Sequence, residues 1–328
     1  MKAIRLPRSQ IVTTRVGFGC AYLTGGYEAR SNKDIIHAAI DLGIRHFDVA
    51  PSYGIGTAEA VLGEALLKRR DRVTIATKVG IDRPRLTKTM QAIRLFAQPI
   101  RKLAPAISRT VGTKLIAPPT ARNRFSLDFV RGSIFESLKH LRTEYLDLLL
   151  LHEVTEQDLS DELLSFLEKE RTAGTFLSIG IATSSENIGP ILLKHAERFD
   201  VIQYSWNALD APGVENPEHF HITHRSIFDA HRTVGALLSS DPFRAKRILD
   251  IVGYDLRDSE TLSKVLLGAA IARNPNGITL AGTRASQHLI ANASLLEGEQ
   301  FVRAGARLNC ELRATTPSEN QLAKSCNS

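Results

Sequence analysis

Asp48, Tyr53, Lys78 and His152 are four proton-handling residues placed at the ends of three apolar runs. Asp48 lies at the end of RHFDV, and Tyr53 follows it in the turn of FDVAPSYG. Lys78 closes RVTIATK and His152 closes LDLLLLH. Adjacent strand ends lie about 5 Å apart, so a carboxylate, a phenol, an ammonium and an imidazole carried there share one small volume. A free phenol titrates near ~10, and a neighbouring ammonium favours its ionised form. The residue types alone therefore predict that Lys78 pulls Tyr53 down, with Asp48 holding and partly neutralising Lys78. His152 can hydrogen-bond a carbonyl oxygen and fix its angle. The set lacks an obvious nucleophile or metal site. It predicts a general acid that protonates an oxyanion near neutral pH, and so carbonyl reduction with a hydride brought by a cofactor. Singly each residue has a plain reading: a solvated turn residue for Asp48 or Lys78, an edge-of-core histidine for His152, a rim aromatic for Tyr53. What argues for joint action is their order, three at strand ends and Tyr53 one turn beyond the first.

Short apolar runs alternate with amphipathic stretches along the 328 residues. Strands are predicted at 15–20, 45–49, 72–78, 146–152, 176–182, 200–206, 234–240 and 277–282. Their near-continuous apolar character suits strands covered on both faces. Helices are predicted at 32–43, 57–69, 126–142, 160–173, 186–197, 222–232, 260–273 and 286–296. Ser31 or Asn32, Ser126 and Ser160 are candidate N-caps, and Gly43 and Gly174 sit at expected stops. This alternation predicts one α/β domain over 1–328, a (β/α)8 TIM barrel with its chemistry at the C-terminal mouth of the strands. The alternative, an open doubly wound sheet, would place a G-x-G-x-x-G turn early. Gly17 and Gly19 supply only G-x-G. Residues preceding the first strand read as a β-hairpin turning near Ser9 and Gln10 and plugging the barrel. A tail over 297–328 reads as polar and aperiodic, with a mobile end.

The net charge of +7 is localised. Residues 83–124, a long insertion after strand three, hold ten Lys or Arg and no Asp or Glu; the remainder has 32 basic and 35 acidic residues. The basic pI thus belongs to one segment and gives no reason to infer a nucleic-acid-binding protein. Within it Met90, Ile93, Phe96, Ile100 and Leu103 fall at helical spacing, interrupted by Pro99. That face could pack on the barrel rim, or form a cationic lid selecting an anionic substrate, or rest on a membrane surface. Cys20, Cys310 and Cys326 lack metal-ligand spacing and suit free thiols in a reducing compartment. With no secretory signal and no apolar run long enough to span a bilayer, the expected location is cytoplasmic. His219 and His221 in a polar loop are expected to hold no metal.

Taken together these segments resemble the aldo-keto reductase family. FDVAPSYG is similar to its Asp-x-Ala-x-x-Tyr-Gly motif, ATKVG to its lysine strand and YLDLLLLH to its histidine strand. IGIATS, DVIQYSWN and ITLAGTRASQHLIANASLL resemble its nicotinamide, glutamine and adenosine-phosphate segments. The resemblance implies hydride transfer between NAD(P)H and an aldehyde, ketone or sugar lactol, or the reverse from an alcohol. Tyr53 would be the acid/base, Asp48 and Lys78 its tuning pair, and His152 the carbonyl orienter. It implies cofactor contacts at Gly19, Cys20, Ala182, Thr183, Gln203, Leu238, Ser239, Gly282, Thr283, Arg284, His288 and Asn292.

Several positions depart from the family pattern. Ala182 and Thr183 replace a Ser-Asn pair, and Leu237 or Leu238 stands where a stacking Tyr is frequent. Gly282 replaces a frequent Lys, and His288 stands where Arg is common. Arg284 can still fork onto a 2′-phosphate, which favours NADP(H) over NAD(H). Arg244, Lys246 and Arg247 form a second basic cluster within reach of a pyrophosphate. Tyr22, Trp206 and Phe243 are candidate walls of a pocket for a small carbonyl or alcohol substrate, anionic if the basic insertion faces it. A rival of another class is an NADP(H)-binding barrel that docks a regulatory partner with little turnover.

Overall fold

The structure is a computed structural model and describes residues 4–84, 124–210 and 216–314. The chain order is β1 (Ile4–Arg5), β2 (Val12–Thr13), β3 (Val16–Gly19), α1 (Ala29–Asp41), β4 (His46–Asp48), α2 (Ala58–Ala65) and β5 (Thr74–Val79). It continues with α3 (Leu127–Leu141), β6 (Leu146–His152), α4 (Asp161–Thr172), β7 (Phe176–Ala182), α5 (Ser185–His195), β8 (Val201–Ser205) and β9 (Phe220–His224). The last elements are α6 (Phe228–Ser240), α7 (Pro242–Val252), α8 (Ser259–Arg273), β10 (Ile278–Ala281), α9 (Ser286–Ser294) and α10 (Gln300–Ala314). Strands β3 to β10 close into a parallel barrel in sequence order, β10 pairing with β3. This is the (β/α)8 barrel expected from the alternation.

The N-terminal hairpin is also present, with Ile4 opposite Thr13 and Arg5 opposite Val12. Its Ile4 and Leu6 join Leu148, Leu150, Val201, Ile222 and Ile278 in one buried cluster. Ser178 donates its hydroxyl to Pro7 O, and Thr13 and Thr74 bond through their hydroxyls at 2.9 Å. The hairpin therefore plugs the barrel opposite the strands' C-terminal ends.

Alternation along each strand sets which side chains face the interior. Leu148 and Leu150 face it on β6, Val201 on β8, Ile222 on β9 and Leu280 on β10. Two residues on, the same faces carry His152, Gln203, His224 and Gly282; by the same rule β4 and β5 carry Asp48 and Lys78. The uppermost interior layer is therefore polar on top of an apolar filling.

Three expectations fail. The run over 234–240 is the second half of helix α6, and the predicted helix 222–232 straddles β9 and the start of α6. Ala230, Val234 and Leu238 are buried at helical spacing, so a continuous apolar run here reports a helix face. The tail is ordered helix over Gln300–Ala314, packed on α8. Gly268 and Gly305 allow that contact: a Cβ on Gly268 would stand 2.1 Å from Phe301 O, and one on Gly305 2.1 Å from Ala269 N. Finally, α1 begins at Ala29, so Ser31 and Asn32 are helical rather than caps, and Asn32 Nδ2 donates to Thr24 O at 2.7 Å. Ser160 does cap α4, accepting from Leu163 N at 3.2 Å. The apolar pattern from Met90 to Leu103 and the end of the tail lie outside the described residues.

Candidate active site

The top layer forms the floor of a cleft of about 1330 Å³ at the C-terminal mouth. Gly19, Tyr22, Asp48, Tyr53, Lys78, His152, Ala182, Thr183, Gln203, Gly282, Thr283, His288 and Asn292 all line it. Strand geometry delivers Asp48, Lys78 and His152 directly. Tyr53 needs a turn that the following residues force. Gly54 and Ile55 are both left-handed, at φ 56, and a Cβ on Gly54 would lie 1.7 Å from Leu23 O. Gly54→Ala is accordingly expected to cost at least about 2 kcal/mol in urea unfolding, through strain and clash together, and to misplace Tyr53. Unchanged stability would mean the turn relaxes freely.

Lys78 Nζ donates to Asp48 Oδ2 at 2.5 Å, and Gln203 Nε2 donates to the same oxygen at 2.7 Å. The Lys78 and Asp48 side chains are 2% and 4% exposed. Burial pushes the Asp48 carboxyl up, but the Lys78 charge and the two hydrogen bonds outweigh it, and the net direction is down. Lys78 Nζ also stands 5.5 Å from the Tyr53 ring centroid, and the His152 ring meets Tyr53 edge-on at 6.3 Å.

The direction expected for Tyr53 is reversed. Burial is the largest influence on its phenol and pushes it well above ~10; Asp48 and Cys20 add to this while Arg225 opposes it. Lys78 is already neutralised by Asp48, so its cation does not act alone on the phenol. Burial thus favours the neutral phenol of Tyr53. Burial, then Lys78, pushes the His152 imidazole down to about 3, so it is neutral, and among the described residues its buried Nδ1 has no hydrogen-bond partner.

Two further imidazoles flank the set, His46 fully buried and His224 half-buried. His46 lies two residues below Asp48 on β4, bonded to Thr74 Oγ1 at 3.0 Å, and burial pushes it to about 4. Burial likewise pushes His224 to about 4. All three fold neutral but bind protons near ~6.5 when unfolded, so the unfolded chain takes up more protons and stability falls as pH drops from about 6.5 towards 4. Asp48 adds to the loss at lower pH. Asp147, whose carboxyl burial pushes up against the pull of Arg70, acts in the opposite sense. Urea midpoints between pH 7.5 and 4 should fall steadily; a flat profile would contradict neutral burial of the histidines.

The remaining sequence candidates divide. Cys20 is buried, its thiol 3.7 Å from Phe18 O, and does not line the cleft. Leu238 belongs to the cluster between α6, α7, α8 and α10, and Ser239 Oγ donates to Gly235 O at 2.8 Å; both leave the site because strand seven was misplaced. Trp206 is core at 1% exposure, and Phe243 projects from α7 at 89% exposure. Neither lines the cleft, because the first turns inward beyond β8 and the second sits on a helix outside the mouth. Arg284 is absent from the lining and faces Glu28 at 3.6 Å. Arg244, Lys246 and Arg247 lie on α7, with Arg247 paired to Glu311 at 2.9 Å. His219 bonds Asn216 Oδ1 and Ala196 O, and His221 bonds Tyr204 Oη and Asn216 O.

Strand β9 supplies what the sequence reading missed. It ends in His224, followed by Arg225 and Ser226, and all three line the cleft. His224 occupies the end of the seventh barrel strand, where Leu237 or Leu238 was expected, so an aromatic ring is present there. The missed signal was the alternation Phe220, Ile222, His224, closing on a polar residue as β6 closes on His152.

Residues 15–224 match the sequence model of the Aldo/keto reductase family. The chain belongs to that family. This aldo/keto reductase is an oxidoreductase enzyme. It is 29% identical over 278 residues to D-threo-aldose 1-dehydrogenase of a Pseudomonas species, covering 79% of this chain and 77% of that protein. Some other curated relatives are matched over about half their length. Among solved structures, glycerol dehydrogenase from Gluconobacter oxydans superposes with a TM-score of 0.68 at 19% identity, covering 97% of each chain. An aldo-keto reductase from Klebsiella pneumoniae in complex with NADPH gives 0.60 at 20% identity, covering 90% of each. At these identities the two superpositions report the shared fold.

Proposed function

We propose that this reductase transfers a hydride between a nicotinamide dinucleotide and the carbonyl carbon of an aldehyde or ketone, or the corresponding carbon of a sugar lactol. The observation that carries the reading is that Tyr53, the Asp48–Lys78 pair and His152 line one cleft floor, with Lys78 Nζ 5.5 Å from the Tyr53 ring centroid. A bound reduced nicotinamide supplies the hydride. His152 orients the carbonyl oxygen, and Tyr53 gives it the hydroxyl proton as charge develops there. Lys78, held in place by Asp48, sets the field around the phenol and is the cation that faces the tyrosinate left behind, 5.5 Å from its ring. In the reverse direction Tyr53 must first lose its proton, so oxidation is favoured at higher pH.

The cleft fits an elongated dinucleotide. From Gly19 and Gly282 it extends past Thr283, Gln287, His288 and Asn292 to Ser259 and Lys264. Ser226 is 2% exposed and, among the described residues, its buried Oγ has no hydrogen-bond partner; it precedes α6, whose first turn has no side-chain cap. With Arg225 and the helix N-terminus, it forms a place for the pyrophosphate. This replaces the assignment to Arg244, Lys246 and Arg247. Thr183 is already engaged, donating to Val154 O at 2.9 Å and accepting from Asn187 at 3.0 Å, and Gln203 Nε2 is bonded to Asp48, so Gln203 Oε1 and His224 are the proposed nicotinamide contacts.

NADP(H) is the proposed nucleotide, with Arg284 exchanging Glu28 for the 2′-phosphate. Arg284→Ala should weaken NADPH about tenfold in a fluorescence titration and leave NADH unchanged; equal loss for both would remove Arg284 from phosphate recognition. The similarity to an aldose 1-dehydrogenase places aldoses with NADP⁺ beside aldehydes with NADPH in the substrate screen. Absorbance of the reduced nicotinamide reads both directions, and no turnover with any carbonyl, alcohol or lactol would contradict the proposal. The substrate is proposed to be small, and anionic if Arg225 reaches it rather than the pyrophosphate. A cytoplasmic location is proposed; among the described residues no helix is long and apolar enough to cross a membrane.

A further inference from the structure

We propose that Glu59 and Arg83, which lie outside the cleft lining, form a buried clamp that holds the Tyr53 turn in register with the strand carrying Lys78. The inference rests on the reading of Tyr53 as the proton donor, and it explains how that turn persists. Gly54, Ile55 and Gly56 are three successive left-handed residues, at φ 56, 56 and 81. A β-branched residue in that region is an outlier and persists only where its surroundings over-determine it.

The surroundings do so from two sides. On one, Thr57 Oγ1 donates to Gly54 O at 2.7 Å and accepts from Gly25 N at 2.8 Å. On the other, Arg83 Nη1 donates to Gly56 O at 2.8 Å while its Nη2 donates to Glu59 Oε2. The second oxygen of that carboxylate, Oε1, accepts from Thr77 Oγ1 at 2.5 Å. Thr77 immediately precedes Lys78 and faces away from the cleft, whereas Lys78 lines it. One carboxylate with a fully buried side chain thus links the strand behind Lys78 to the backbone following Tyr53. Contact reinforces the bonds, since a Cβ on Gly56 would stand 3.1 Å from both Arg83 Cγ and Pro84 O.

An apolar pair of similar volume could fill this space without a desolvation cost. The charged pair does something an apolar one cannot: a planar guanidinium donates in two fixed directions, one to the turn and one to the carboxylate. Glu59 and Arg83 are therefore positioning residues, acting through Tyr53.

Two variants test the clamp in the full chain. Arg83→Lys keeps the charge but loses the fork. Glu59→Gln/Arg83→Met leaves no unpaired buried charge, so folding is not the limiting issue. In the double variant kcat for the best carbonyl substrate should fall about 10²-fold, with KM and nucleotide Kd little changed, because small misplacements of a reacting group act on the chemical step. Arg83→Lys should fall between the double variant and wild type. Independently of turnover, a phenol absorbance titration of the double variant should gain one group ionising near ~10, abolished by adding Tyr53→Phe, as the loosened turn admits water. A lower thermal midpoint with unchanged kcat and unchanged phenol titration would overturn the proposal and leave the pair a plain structural contact. A wild-type enzyme inactive on every carbonyl would instead remove the role of Tyr53, while the phenol titration would still decide whether the clamp holds it.

Discussion

Tyr53→Phe should lower kcat for carbonyl reduction by about 10³-fold, the typical contribution of a positioned general acid. The ring contacts with Lys78 and His152 at 5.5 and 6.3 Å do not need the hydroxyl, so fold and nucleotide affinity should be retained. The pH profile of the wild type carries a second, sharper expectation. The donor is the protonated phenol, and reduction is lost as pH rises through its pKa. Burial has pushed that pKa above the ordinary ~10, so kcat for reduction should stay level from neutral pH to about pH 10. A decline between pH 7 and 9 would mean that Lys78 tunes Tyr53 downward, as the residue types alone suggest. A Phe variant retaining a tenth of the wild-type rate would move the acid elsewhere.

The second large effect is on stability. Lys78→Met leaves the Asp48 carboxylate buried with only Gln203 for a partner. Breaking one side of a buried ion pair in this way should cost about 3–5 kcal/mol in urea unfolding. Asp48→Leu/Lys78→Met removes both charges and should recover most of that loss, less what Gln203 forfeits with its acceptor. Because the pair also serves the chemistry, the double variant should remain at least about 10²-fold below wild type in kcat. Recovered stability with dead chemistry separates the two roles. A double variant as unstable as the single would show that Asp48 contributes through Gln203 and packing rather than through Lys78.

The barrel and its acid set were legible because the apolar runs of β4, β5 and β6 carry a polar residue at or next to their ends: Asp48 and His152 are last in β4 and β6, and Lys78 is next to last in β5. Strand β9 defeated the same rule. Its Phe220, Ile222 and His224 face inward while His221 and Thr223 face outward to Tyr204 and Thr279, so it reads as a polar loop. Meanwhile Val234 to Leu238 in α6 read as a strand, since a short apolar run has no visible period. That single exchange misplaced Leu238 and Ser239 and hid His224, Arg225 and Ser226. In α10 the apolar Val302, Leu308 and Leu312 were diluted by Arg303, Arg307 and Glu311, and only the close approach to α8 gives Gly305 its meaning. The direction of the Tyr53 shift was not legible either. It depends on burial and on which group neutralises Lys78, and both are properties of the assembled site. The same holds for Glu59 and Arg83, whose link exists only once Thr77 and Gly56 are brought together.

The central claim is hydride transfer at the Tyr53 site, and isotope transfer tests it most directly. Reduced nucleotide carrying deuterium at the transferable position would be incubated with the enzyme and a panel of aldehydes, ketones and keto-sugars, and the products read by mass spectrometry. The predicted result is deuterium on the former carbonyl carbon with wild type and almost none with Tyr53→Phe. Saturable nucleotide binding without label in any product, and without nucleotide reduction by any alcohol or aldose, would contradict it and leave a nucleotide-binding barrel.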